Sequence, residues 1–225
     1  MASVRCRREA ESICLPIPNR CPMKSEKASS EKGRRGGEEH RFSAEGDFIE
    51  RLEGSERSEI IPVESVLPRL GLGRGDVVAD LGAGIGYFTF PVARKVREVI
   101  AIDMEPKMLG VLSERIHKQR VPNVRLLLGE ITDLPIADGS VDHVLAAFVY
   151  HEVSNRERLI QECARILRPG GYLTVIDFQK RKTSFGPPLR ERKSPEHVLR
   201  TAKQLFRLEA RMDTEVYYQL SLLRR

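Results

Sequence analysis

Long apolar runs and cysteines are both scarce in this chain. No apolar stretch among the 225 residues approaches the roughly 20 needed to cross a bilayer. The segment from Ile13 to Ile17 is too short for a signal-peptide core and contains Pro16. A membrane span is thereby excluded, and a cytoplasmic protein is expected. Of the four cysteines, Cys6, Cys14 and Cys21 stand at spacings that fit no zinc pattern, so no metal site is expected. Cys163 falls on the apolar face of a predicted helix, where a thiol is buried and inert. This usage fits a reducing compartment. No internal repeat is present. Apolar periodicity is also missing from the first 40 or so residues, which are rich in Arg, Lys, Glu, Ser and Gly. Such a segment cannot bury enough surface to offset its ordering entropy. Residues 1–39 are therefore read as a disordered tail, or as a misassigned start preceding Met23. His40 to Pro62 reads as a helical lead-in, with Phe48, Ile49 and Leu52 on one face; it is either a lid or a packing helix.

The remaining length suits one α/β domain with a full core. Val77-Val78-Ala79-Asp80-Leu81-Gly82-Ala83-Gly84-Ile85-Gly86 reads as a buried strand running into a glycine loop. Tyr87 to Val96 follows as a helix with Phe88, Val92 and Val96 on one stripe and Pro91 early in it. Val99 to Ile102 is a second strand, ending at Asp103. An acid about 20 residues past such a loop can accept hydrogen bonds from ribose hydroxyls. The unit thus holds a nucleoside-type ligand. It is not a dinucleotide fingerprint, because the third glycine of G-x-G-x-x-G comes one residue early. Asp80, two residues before the first glycine, would also repel a pyrophosphate. That carboxylate suits a ligand carrying an ammonium and a sulfonium.

In these residues the chain resembles the class I S-adenosylmethionine-dependent methyltransferases, whose first motif is an acid followed by G-x-G-x-G. Downstream, Leu134-Pro135-Ile136-Ala137-Asp138-Gly139-Ser140-Val141-Asp142-His143-Val144-Leu145 is similar to the corresponding segment of the type 11, small-molecule branch. The run from Arg165 to Phe178, RILRPGGYLTVIDF, is similar to that branch's helix-to-strand corner. The resemblance covers residues 58 to 225 in pattern. It implies a Rossmann-like, doubly wound, mostly parallel seven-stranded sheet ending in an antiparallel hairpin. The expected strands are Val124 to Leu128, His143 to Phe148, Tyr172 to Phe178, Leu205 to Met212 and Val216 to Leu223. Expected helices are Arg156 to Leu167 and Ser194 to Gln204, the latter capped by Ser194 with Pro195 first. One departure is Gln204-Leu205-Phe206, where many members have Ala-Gly-Phe.

The resemblance implies S-adenosyl-L-methionine as cofactor and an enzyme that transfers its methyl group. Asp80 and the loop of Gly82, Ala83, Gly84 and Gly86 would hold the methionine portion, Asp103 the ribose, and Glu130 and Ile131 the adenine, with Tyr87 and Met104 as further cofactor-binding residues. Ala147 would lie at the end of the fourth strand. Asp142 is expected to be structural. Ligands in open parallel sheets bind beyond the carboxyl ends of the strands, where strand order reverses. Tyr150, His151 and Glu152 fall there. His151 is the preferred general base, its ordinary pKa being near 6.5; Glu152 and Tyr150 are weaker choices.

The acceptor is less legible. Net charge is +6 with an isoelectric point near 9.3. Lys180-Arg181-Lys182 and Arg190 to Lys193 flank the loop beside the expected acceptor site, so an anionic small molecule, or RNA, is admitted. Against nucleic acid, Ala147-Phe148-Val149-Tyr150 lacks the Asn/Asp-Pro-Pro-Tyr motif of amino-methylating base methyltransferases. Two further readings stay open: a non-catalytic S-adenosylmethionine-binding partner subunit, and an NAD(P)-dependent oxidoreductase, which lacks its fingerprint here.

Overall fold

The computed structural model describes residues 55–183 and 185–225. The expected tail 1–39, and the lead-in before Ser55, lie outside the described residues. Two short helices open the described chain, α1 (Ser55–Ile60) and α2 (Val63–Val66), followed by a 3-10 turn (Leu67–Leu70). Then come β1 (Val77–Leu81), α3 (Thr89–Ala93), β2 (Glu98–Asp103), α4 (Pro106–Gln119), β3 (Val124–Leu128) and β4 (Val141–Ala147). The chain ends with α5 (Arg156–Ile166), β5 (Leu167–Phe178), α6 (Pro195–Ala202), β6 (Phe206–Asp213) and β7 (Tyr217–Arg224). One sheet runs β3-β2-β1-β4-β5-β7-β6. The first five are parallel; β7 pairs antiparallel with both β5 and β6. This is the expected seven-stranded, Rossmann-like α/β sheet. No helix among the described residues is long and apolar enough to cross a membrane.

Side-chain alternation along the strands sorts the core into two layers. Ala79, Leu81, Ile100, Ile102, Val144 and Ala146 face Leu159, Ile160 and Cys163 of α5 and Val198 of α6. Val78, Val99, Leu145 and Ala147 face the other way, onto Val66, Leu67, Phe88 and Val92. Asp80 shares the parity of Val78, so the sheet turns its carboxyl toward α3.

Local chemistry explains most boundaries. Glu105 caps α4 by accepting from the Lys107 amide at 3.3 Å, and Arg120, at φ 54°, ends it. Ser194 caps α6 as expected, but that helix stops at Ala202, two residues before the expected Gln204. Helix α3 spans only Thr89–Ala93 rather than Tyr87 to Val96; Pro91 removes a donor from its middle. Strand β5 starts at Leu167, where a helix end and a tight corner were expected. Leu167 already pairs with Val141, and residues 168–171 form an irregularity before His143 meets Tyr172. Gly171 is required in that bulge, since a Cβ there would lie 2.8 Å from the Asp142 carbonyl oxygen. Asp142 has the structural role expected of it: it accepts from the Val77 amide at 2.8 Å and pairs with Arg168, joining β4 to the start of β1.

The 134–138 segment is fastened from α5. Glu162 accepts from the Leu134 amide at 2.7 Å, and Arg165 donates to the carbonyls of Leu134 and Ile136.

Candidate functional site

Strand order reverses between β1 and β4, and the residues singled out from sequence gather beyond the carboxyl ends of β1, β2, β4 and β5. The turn after β1 needs its glycines. Gly82 has φ +68°, and a Cβ on it would stand 2.8 Å from Val149 Cγ2. Gly86 has φ +93°, and a Cβ would stand 2.6 Å from Leu112 Cδ1. Gly84 differs: at φ +53° it has nothing within 4 Å of a would-be Cβ. Two glycines therefore serve packing, whereas Gly84 faces open space.

Asp103 ties the loop to β2. Its Oδ2 accepts from the Gly84 amide at 2.8 Å and its Oδ1 from the Glu105 amide at 2.9 Å. A carboxylate has about four lone-pair positions, so each oxygen keeps one for a ligand hydroxyl. Ala83 donates to the Ile102 carbonyl at 2.9 Å, holding the loop against the strand. Met104 is the most solvent-exposed large apolar side chain of the described residues, at 74%. The turn after β3 approaches the same corner through the Gly129 amide, which donates to the Asp103 carbonyl at 3.1 Å. Glu130 on that turn is exposed and Ile131 half-buried. Ala147 is buried at the end of β4.

Asp80 is 3% exposed and accepts from Thr89 Oγ1 at 2.6 Å. Burial pushes its pKa up to about 7 against the pull of that hydrogen bond; the Asp103 charge raises it further and Arg57 lowers it. Arg57 was not foreseen. Its guanidinium carbon sits 4.5 Å from the Tyr87 ring centroid, and the Tyr87 hydroxyl donates to the Ile61 carbonyl at 2.7 Å. The visible part of the lead-in therefore packs directly on the glycine loop.

Across the switch point, Phe148 follows β4 at φ 59°, a conformation uncommon for a non-glycine residue. Its ring packs 4.8 Å from that of Phe178. His151 follows, with a side chain only 4% exposed. Its amide donates to Asp177 Oδ2 at 2.9 Å and its Nδ1 lies 2.8 Å from Asp177 Oδ1. Burial lowers the His151 pKa, but the Asp177 hydrogen bond and the nearby acids outweigh it, and the net direction is up. Glu152, 40% exposed at its side chain, places Oε1 3.7 Å from His151 Nε2.

Two expectations require correction. Tyr150 does not face an acceptor: it is fully buried, its hydroxyl 3.2 Å from His197 Nδ1 and donating to Thr201 Oγ1. Arg192 is no part of an exposed basic group. It is 3% exposed, lies over Phe178, and donates to the carbonyls of Pro187, Arg181 and Phe185. It thereby organises the loop after β5. Arg181 is likewise engaged, donating to the carbonyls of Thr214 and Glu215.

Sequence reading also missed Thr89 and Asp177. A signal existed for each: a hydroxyl at the start of the helix facing Asp80, and a lone acid in the apolar run Leu173 to Phe178. Among the described residues, no group of three or more His, Cys, Asp and Glu side chains could hold a metal.

Fold and site together define an α/β domain with a glycine loop flanked by Asp80 and Asp103 where strand order reverses. Residues 79–175 match the family model described as a methyltransferase domain. A methyltransferase structure from Aquifex aeolicus, S-adenosylmethionine-dependent by description, superposes with a TM-score of 0.75 at 27% identity, covering 81% of this chain and 100% of that one. Arsenite methyltransferase of Halobacterium salinarum is 38% identical over 106 residues, 46% of this chain and 27% of the relative. Demethylmenaquinone methyltransferase of Tropheryma whipplei is 37% identical over 118 residues, 52% of this chain and 48% of the relative. The alignments span about half or less of those curated relatives. These likenesses are to S-adenosylmethionine-dependent methyltransferases, and residues 79–175 are similar to the methyltransferase domain of the type 11 family.

Proposed function

We propose that the protein transfers the methyl group of S-adenosylmethionine to a small-molecule acceptor. The observation that carries this reading is the buried Asp80 under a glycine loop whose Gly84 amide is held by Asp103. An acid there disfavours a pyrophosphate and favours a cationic tail.

In this reading the residues fit the cofactor. The Gly84 side of the loop leaves room for it. Asp80 and the Gly82–Gly86 loop, with Ala83 and Tyr87, hold the methionine portion. Asp103 receives the ribose hydroxyls beside Met104, and Glu130 with Ile131 borders the adenine. Ala147 closes the floor at β4. Arg57, stacked on Tyr87, makes residues 57–61 a cover beside the loop. When bound, the cofactor supplies an activated methyl group. The protein's task is alignment of donor and acceptor, which can contribute roughly 7–11 kcal/mol in favourable cases. An acceptor carrying a proton would lose it on the segment after β4, where Asp177 orients His151 with Glu152 beside it.

The acceptors in the two curated relatives' names, arsenite and demethylmenaquinone, differ in kind, so this chain's acceptor is left as a small molecule. Calorimetric titration of the full chain with S-adenosylhomocysteine tests the reading. Micromolar binding is expected, weakened at least about tenfold by Asp103→Ala, the loss of a charge-assisted pair of hydrogen bonds. No binding, together with binding of NADH, would overturn it.

A further inference from the structure

His151 is well oriented yet nearly inaccessible. Asp177 is fully buried and accepts from three donors: the His151 amide, the His151 ring and the Phe178 amide at 2.7 Å. An ionised carboxylate only accepts, so the ring proton is fixed on Nδ1 and Nε2 turns outward. Arg156 secures the backbone by donating to the His151 carbonyl at 3.0 Å. Outside Nε2 stands Glu152, Oε1 at 3.7 Å, with a side chain 40% exposed against 4% for the histidine. A molecule entering from solvent meets Glu152 before it meets the ring. Position supports the same conclusion. Val149 lies against Gly82, and Glu152 is near enough to Asp103 to feel its charge.

We propose that Glu152 is the group that removes the acceptor's proton, and that His151, held by Asp177, is a positioning residue behind it. This deepens the methyltransferase reading and rests on it. It also restricts the substrate class. The acceptor is a nucleophile with a removable proton, such as a hydroxyl, a thiol or an acidic C–H, rather than a tertiary amine or a thioether. The acceptor's X–H proton passes to the Glu152 carboxylate, and the freed electron pair forms the bond to the methyl carbon. As that bond forms, the carbon–sulfur bond breaks and its pair stays on sulfur, leaving a neutral thioether. Electrostatics agree with the geometry. Burial raises the Glu152 pKa, to about 7; His151 opposes this, while Asp177, Asp103 and Glu191 reinforce it. A proton acceptor works best near the operating pH.

The test needs no knowledge of the acceptor. Full-length protein carrying carboxyl-13C glutamate is titrated with pH by NMR, loaded first with S-adenosylhomocysteine and then with S-adenosylmethionine. Glu152→Gln assigns the signal. The two ligands differ by the sulfonium charge and its methyl. The Glu152 midpoint should therefore fall by about half a pH unit or more with S-adenosylmethionine, the pull of a nearby unit charge in a partly shielded site. His151→Gln should raise that midpoint and Asp177→Asn lower it, while both leave S-adenosylhomocysteine affinity unchanged. Equal midpoints with the two ligands, or midpoints in the ordinary carboxylate range, would overturn the proposal. Failure of both ligands to bind in calorimetry would instead defeat the methyltransferase reading, and this proposal with it.

Discussion

Asp80 makes the domain less stable than it need be, and the size of that penalty follows from the site. In the unfolded chain its carboxyl ionises near its ordinary value; in the fold, burial raises it to about 7. The folded state therefore binds the proton more tightly, and stability is lost as pH rises from the unfolded to the folded pKa. At one unit per 1.36 kcal/mol, a shift of about three units corresponds to an upper limit of roughly 4 kcal/mol above pH 7. Asp80→Asn removes the charge. It keeps an oxygen to accept from Thr89, but leaves an amide N–H pair whose burial costs about 1–3 kcal/mol. The amide cost does not depend on pH, so the pH dependence isolates the carboxylate. The variant's advantage in urea denaturation should grow by roughly 2 kcal/mol between pH 5.5 and pH 8.5. The same variant should bind S-adenosylhomocysteine about 10- to 100-fold more weakly, the ammonium having lost its charged partner. A pH-independent difference between variant and parent would refute the argument that a buried, proton-binding Asp80 strains the fold. Unchanged affinity would separate Asp80 from the ligand.

The glycine loop offers a matched pair. Gly84→Ala should cost only about 1–2 kcal/mol of stability, the left-handed backbone penalty, yet abolish S-adenosylhomocysteine binding by filling the open side of the loop. Gly86→Ala drives a methyl into Leu112 and Phe90 and should lose roughly 2–4 kcal/mol, read as a fall in denaturation midpoint. Equal stability losses would contradict the assignment of one glycine to ligand and one to packing. At Cys163, burial holds the thiol well above its ordinary range, and iodoacetamide at pH 8 should modify it only after unfolding. Its labelling in the native protein, followed by peptide mass spectrometry, would show that α5 opens.

What the sequence made legible was whatever depends on near neighbours in the chain. The run Val77 to Ala79, the alternate glycines and Asp103 lie within one strand–loop–strand unit, and periodicity with chain chemistry placed them where the structure has them. Asp142 was legible as a strand opener, though not its bonds to Val77 and Arg168, which need β1 and β5 alongside. Arg192 read as surface charge because the groups that bury it are main-chain carbonyls of the loop just before it, those of Arg181, Phe185 and Pro187, which leave no side-chain pattern in the sequence. Tyr150 and His151, adjacent in sequence, point to opposite environments, Tyr150 under α6 and His151 onto β5. The cause is Phe148. At φ 59° it turns the chain sharply off β4, its amide donating to the Ile176 carbonyl at 2.7 Å while its ring packs on Phe178. A phenylalanine in that conformation is not foreseeable, since the left-handed region is a property of glycine and occasionally asparagine. Such strain persists only where surrounding contacts over-determine it. Here the aromatic packing supplies those contacts, and the turn sets Val149 against Gly82 and His151 on Asp177. The element that the sequence does not reveal is thus the one that sets Val149 against the glycine loop.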